Sequence, residues 1–246
     1  MFDFDGTLAL VRAGWMPIML DMMMETLGPL GNDNAALRAE AEAYVARLTG
    51  RDTVHQMRAF ADHVRSLGGS DTPGEVYRDE FFRRLAGRVS KRLKAVEQGT
   101  APEESLLVPG VRIFLEALRE RGLQIYLASG TAHADIVREC RLLKVEGYFD
   151  GIYGSAPENF SKSELLAHIV ESGIAPDEIL TFGDGRVEIE VTAAAGGVSV
   201  GMATDEPHCL VVDRKKRAWL IEAGADYIAP NFLDLEGMLE IAAGTR

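Results

Sequence analysis

Cysteine is scarce in this chain. Cys140 and Cys209 lie in different segments, with neither metal-ligand nor redox spacing, so both are expected to be free thiols without a role. Long apolar runs are missing too, and nothing approaches the roughly 18 continuous apolar residues that span a bilayer. No basic segment, apolar run and small-residue cleavage site open the chain, so the expected compartment is cytoplasmic. Cations are short as well: 26 Lys and Arg against 38 Asp and Glu give a formal net charge of −12. That balance disfavours the phosphate backbone of nucleic acid and an anionic membrane face as partners. An anionic substrate must therefore be held by local features or by a metal cation.

What is present has two textures. The 246 residues suffice for one core domain with an accessory one. From residue 14 to about 105 the pattern is helical, with Trp15 to Leu27, Asn34 to Leu48, Asp52 to Leu67 and Pro73 to about Val96 separated by turns such as GPLGN and LGGSDTPG. From Pro109 onward short apolar runs alternate with amphipathic helices: LQIYLAS and AHADIVRECRLL, GIYG and SKSELLAHIV, EILTFGD and VEIEVTAAA, GVSVGM and RKKRAWLIEAG, DYIA and LDLEGMLEI. Repeated strand-then-helix predicts an α/β core, a doubly wound, Rossmann-like parallel sheet with helices on both faces. Residues 1–12 and 106–246 would form it, and 13–105 an inserted all-α domain.

In open α/β sheets ligands sit beyond the carboxyl ends of the strands. Those ends carry Asp3, Asp5 and Gly6, then Ser129, Gly130 and Thr131, then Gly183, Asp184 and Gly185. Lys162 joins them by position, because Ser161 and Glu164 read as a capping box that puts it in the first turn of a helix. Each motif alone is a common turn, but their ordered recurrence at strand ends is not. Together, DFDGT (3–7), ASGT (128–131), Lys162 and GDGRVE (183–188) resemble the four motifs of the haloacid dehalogenase superfamily of phosphohydrolases. The helical insert directly after DFDGT is similar to that family's α-helical cap of the first type.

The resemblance implies a phosphatase acting on a small phosphorylated metabolite. Asp3 would be the nucleophile that forms an aspartyl-phosphate, and Asp5 the general acid and base. Two-residue spacing in extended chain turns both side chains the same way. Mg²⁺ would be held by Asp3, the Asp5 carbonyl and Asp184, because carboxylates facing a phosphate need a hard cation between them. Ser129, the Gly130 N–H at a helix N-terminus and Lys162 would bind the phosphate oxygens. Lys162→Ala would then spare the fold and cripple catalysis.

Where the family's fourth motif usually ends in aspartate, this chain has Glu188, expected to reach the metal through a water; Glu190 reads as a solvated helix residue. Asp5 argues against carbon–halogen chemistry, whose enzymes in this family lack that acid. A sugar phosphomutase on the same core, or a non-catalytic regulatory module, are the alternatives. In the cap, Arg51 in LTGRDTVHQM and Arg12 on the linker are the candidates for gripping a second part of the substrate. The methionines of WMPIMLDMMMETL read as cap packing. Sugar phosphates, phosphoglycolate-like acids and nucleotides all stay open as substrates, as does the oligomeric state. Only two residues precede Asp3, fewer than a buried strand normally takes, and the natural chain is expected to extend upstream.

Overall fold

The computed structural model describes residues 1–31, 33–48, 53–155, 161–206 and 208–244. It divides into two compact units, one of Met1–Ala13 with Arg92–Arg246 and one of Gly14–Lys91.

The second unit carries α1 (Trp15–Leu27), α2 (Asn34–Leu48), α3 (Thr53–Ser66) and most of α4 (Gly74–Glu97). Each buries one stripe. In α3 the buried Met57, Phe60, Ala61 and Val64 recur at helical spacing, and Phe60 meets Tyr77 of α4 edge-on at 4.9 Å. Met19, Met22 and Met23 of α1 are buried in the same cluster, so these methionines pack the unit's interior. The boundary falls inside α4 for a local reason. Arg92 donates to the carbonyls of Leu10, Val11 and Ala13 at 3.1, 2.9 and 2.8 Å, tying the outgoing chain to the returning one. Residues 92–105, which the sequence pattern gives to the insert, therefore cluster with the first unit.

In the first unit the elements run α5 (Val111–Glu120), β1 (Tyr126–Ala132), α6 (His133–Leu142), β2 (Gly151–Ser155) and α7 (Lys162–Glu171). Then follow β3 (Leu180–Gly183), α8 (Arg186–Ala195), β4 (Val198–Met202), α9 (Arg214–Glu222), β5 (Tyr227–Ala229) and α10 (Leu235–Ala242). All strand pairings are parallel, β1 with β2 and β3 with β4 with β5. The opening residues join the two groups. Phe2 N–H donates to the Tyr126 carbonyl (2.7 Å) and its own carbonyl accepts from Ala128, while Asp3 and Phe182 N–H donate to Phe182 and Met1 carbonyls across the other side. The spatial order is β2, β1, the opening segment, β3, β4, β5. The expected first strand is thus only a pair of bridges at Phe2, yet it sits mid-sheet.

Alternation assigns the faces. Met1 is buried with Leu165, Leu166 and Ile169 of α7, whereas Phe2 stacks on Phe182 at 4.6 Å, in a cluster with Phe114 of α5 and Phe232. Helices therefore cover both faces. Asp3, next in the chain after this anchored phenylalanine, is delivered to the carboxyl edge by a buried and fully bonded backbone. Among the described residues no helix is long and apolar enough to cross a membrane.

Candidate active site

The carboxyl edge brings together Asp3, Asp184 and Glu188, one carboxylate oxygen of each lying within 4.8 Å of the others. Asp3 leaves the Phe2 ladder, Asp184 follows β3, and Glu188 sits in the first turn of α8, where its Oε1 accepts the Gly185 N–H at 2.7 Å. Lys162 opens α7. The capping box expected there is formed, Glu164 N–H reaching Ser161 Oγ and Ser161 N–H reaching Glu164 Oε2. That cap aims the Lys162 ammonium at Asp3 Oδ1 (2.6 Å) and Glu188 Oε2 (2.9 Å).

Two glycines make the crowding feasible. Gly6 has φ +77°, a conformation that costs other residues roughly 1–2 kcal/mol, and a Cβ there would lie 2.0 Å from Asp184 Oδ2. At Gly183 a Cβ would lie 2.0 Å from Glu188 Cγ. The small residues around the carboxylates are the space those carboxylates occupy.

Asp5 stands beside this cluster with both oxygens engaged. Arg12 Nη1 donates to Oδ1 and Oδ2 at 3.1 and 3.2 Å, and Thr131 Oγ1 donates to Oδ2 at 3.1 Å. Arg12 is held in turn by a bidentate pair with Glu139 of α6, both contacts 2.8 Å. Arg12, expected to grip substrate, thus has its guanidinium taken by two carboxylates of its own unit. Arg51 lies outside the described residues. Ser129 Oγ accepts the Thr131 N–H at 3.1 Å. Gly130 differs from expectation: β1 continues through Ala132 and α6 begins only at His133, so the Gly130 amide belongs to the strand and not to a helix N-terminus. Glu190 is half exposed and pairs with Arg186 on the outer side of α8.

A family model for haloacid dehalogenase-like hydrolases matches residues 1–196. The chain belongs to that family. Over 205 residues it is 31% identical to a phosphoglycolate phosphatase of Escherichia coli strain K12, covering 82% of this chain and 79% of that one. A phosphoglycolate phosphatase of Pseudomonas savastanoi is 24% identical over 240 residues, 96% of this chain and 80% of its own. Among solved structures, a hydrolase from Pseudomonas syringae aligns with TM-score 0.61 at 19% identity, covering 98% of this chain and 96% of that one. At that identity the likeness is one of fold.

Two residues of this hydrolase's edge escaped the sequence reading. Lys216 in the first turn of α9 is buried and donates to Asp184 Oδ2 (3.0 Å) and Glu206 Oε1 (2.8 Å). The signal was the basic run RKKR directly after Asp213, which caps α9 by accepting the Lys215 and Lys216 N–H groups. Glu139 gave no signal, being one acid in an ordinary amphipathic helix.

Burial raises two of the cluster's three carboxyls. It pushes Asp184 up to about 6 against the pull of Lys216, and it raises Asp3 despite Lys162. Glu188, equally buried, is held below its usual value by Lys162 and the Gly185 N–H. An acid whose native pKa exceeds its unfolded value binds protons more readily when folded, so its contribution to stability falls as pH rises through that interval. For Asp184 the interval runs from 3.8 to about 6. In EDTA, the stability of wild type minus that of Asp184→Asn should fall between about pH 4 and pH 7. Urea unfolding at both ends checks this, and a difference that stays flat contradicts it.

Proposed function

We propose that this hydrolase is a Mg²⁺-dependent phosphatase of a small phosphorylated metabolite, working through an aspartyl-phosphate on Asp3. The observation that carries the reading is the junction of Asp3 with Asp184, Glu188 and Lys162 at one sheet edge. The donor set is all carboxylate oxygen, which suits a hard cation and not a soft one. Asp3 and Asp184 would hold it, with Glu188, both of whose oxygens already accept protein donors, reached through water. Bound there, the cation neutralises phosphate charge and the carboxylates that would otherwise repel it.

The chain's own residues do the rest. Asp3 Oδ attacks phosphorus, and Lys162 keeps that carboxylate oriented. Asp5 protonates the leaving oxygen and then takes a proton from the water that attacks the aspartyl-phosphate, restoring Asp3 and releasing phosphate. Ser129 and Lys162 would bind the phosphate oxygens as the transferring group loses its bond to the alkoxide.

The phosphoglycolate phosphatases among its relatives make short phosphorylated carboxylic acids the first class to try, ahead of sugar phosphates and nucleotides. The test is phosphate release from a panel covering these classes, with Mg²⁺ and again with EDTA. Release that needs the metal and favours one class is the expected result. Release undiminished in EDTA would overturn the metal's role.

A further inference from the structure

We infer that Arg12, clamped by Glu139, is a positioning residue that fixes the Asp5 carboxyl for proton transfer to the leaving group. The inference deepens the reading just given and rests on Asp5 being the acid.

Asp5 is not part of the carboxylate cluster that Lys162 and Lys216 serve, so nothing described there orients it. Its orientation comes from two other elements, the end of β1 through Thr131 and α6 through Glu139. An arginine paired only with an exposed aspartate would hold it loosely, because the long stem keeps its rotamer freedom. Here the guanidinium is not loose. Glu139 is 2% exposed, and its two oxygens meet Nη1 and Nη2 at 2.8 Å each, a fork-to-fork pairing that fixes the plane of the guanidinium. With the plane fixed, the direction in which Nη1 faces Asp5 is fixed as well.

Glu139 itself has a reason to be there only in combination with Arg12. A buried carboxylate without its cation is costly, and the place in α6 would otherwise favour an apolar residue, as at Ile136 and Cys140 beside it. The expected use of Arg12 as a grip on substrate does not fit, since both of its terminal nitrogens are committed inside the unit. What the pair accomplishes is geometric: a general acid must lie within hydrogen-bond reach of the leaving oxygen, and a displacement of about 1 Å can cost on the order of 10²-fold in rate.

Leaving-group dependence reads this role directly. A phenolate of low basicity leaves without much help, whereas an alkoxide needs its proton. On a graded series of aryl and alkyl phosphates with Mg²⁺ present, Asp5→Asn should lose kcat/KM by on the order of 10²–10⁴-fold for alkyl esters and much less for the most acidic phenol. Arg12→Gln should reproduce the same gradient at a smaller scale, about 10–100-fold for alkyl esters. Arg12→Lys, which keeps the charge but cannot bond Glu139 at two points and Asp5 at once, should fall between Gln and wild type. Adding Glu139→Gln to Arg12→Gln should bring no further loss, because Glu139 acts through the arginine.

If Asp5→Asn shows the gradient while Arg12→Gln and Arg12→Lys lose equally on every ester, or not at all, the positioning role is overturned and the acid stands. If Asp5→Asn itself shows no gradient, the reading of Asp5 fails and takes this inference with it. Should Arg12→Gln not fold, Arg12→Lys carries the same comparison.

Discussion

Asp3→Asn should abolish turnover of every phosphomonoester, with a loss on the order of 10⁴-fold or more, while the unfolding midpoint stays close to that of wild type. The two halves of this expectation have different origins. An amide is no nucleophile toward phosphorus, so the loss follows from chemistry alone. The preserved fold follows from burial: the native environment raises the Asp3 pKa and so favours its uncharged form, which asparagine imitates in shape and neutrality. Lys162 would keep Glu188 as a partner. Steady-state assays of purified variant, with circular dichroism on the same sample, check both halves. Residual turnover within tenfold of wild type would remove Asp3 from the chemistry.

Lys162→Met is expected to cost both activity and stability, and here the structure alters what the sequence suggests. Viewed as a phosphate ligand at the mouth of the site, the lysine could be lost without harm to the fold. In place, it is the cation between two buried carboxylates, Asp3 and Glu188, whose side chains are 9% and 2% exposed. Removing it leaves Glu188, which Lys162 holds in its charged form, without compensation, and breaking a buried ion pair from one side typically costs about 3–5 kcal/mol. In EDTA the variant should therefore unfold at clearly lower urea than wild type. Mg²⁺ should return part of the loss by supplying positive charge to the same cluster. Turnover should fall by on the order of 10²–10³-fold. An unfolding midpoint equal to wild type in EDTA would show that Glu188 does not depend on Lys162 for its charge in the native state.

The core was readable because its signals are local. Short apolar runs and amphipathic helices mark out β3, α7 and α8 almost residue by residue, and the chemistry-bearing residues sit where those elements meet. The helical unit was readable too, since its stripes at positions such as Met57, Phe60 and Val64 are periodic whatever they pack against. What escaped depends on contacts far apart in sequence. α5 was missed although the polar run RERG sets VRIFLEALRE off from the strand after it; its Phe114 packs against Phe2 and Phe182, which lie far away in sequence. Lys216 meets Asp184 across 32 residues and Glu139 meets Arg12 across 127, and no spacing rule joins such pairs. The extent of β1 was misjudged for a related reason: SGT reads as a turn, but pairing of Ala132 with Ser155 of β2 extends the strand past an irregularity in register.

The measurement that bears most directly on the account is capture of the covalent intermediate. Enzyme mixed with substrate and Mg²⁺ would be quenched within one turnover and reduced with borohydride, which converts an acyl phosphate at aspartate to homoserine, and the N-terminal peptide read by mass spectrometry. Homoserine at position 3, with Asp5 unchanged and no conversion in Asp3→Asn, is the predicted result. Conversion at Asp5 or elsewhere, or none at position 3 while turnover proceeds and a control acyl phosphate is captured, would contradict it.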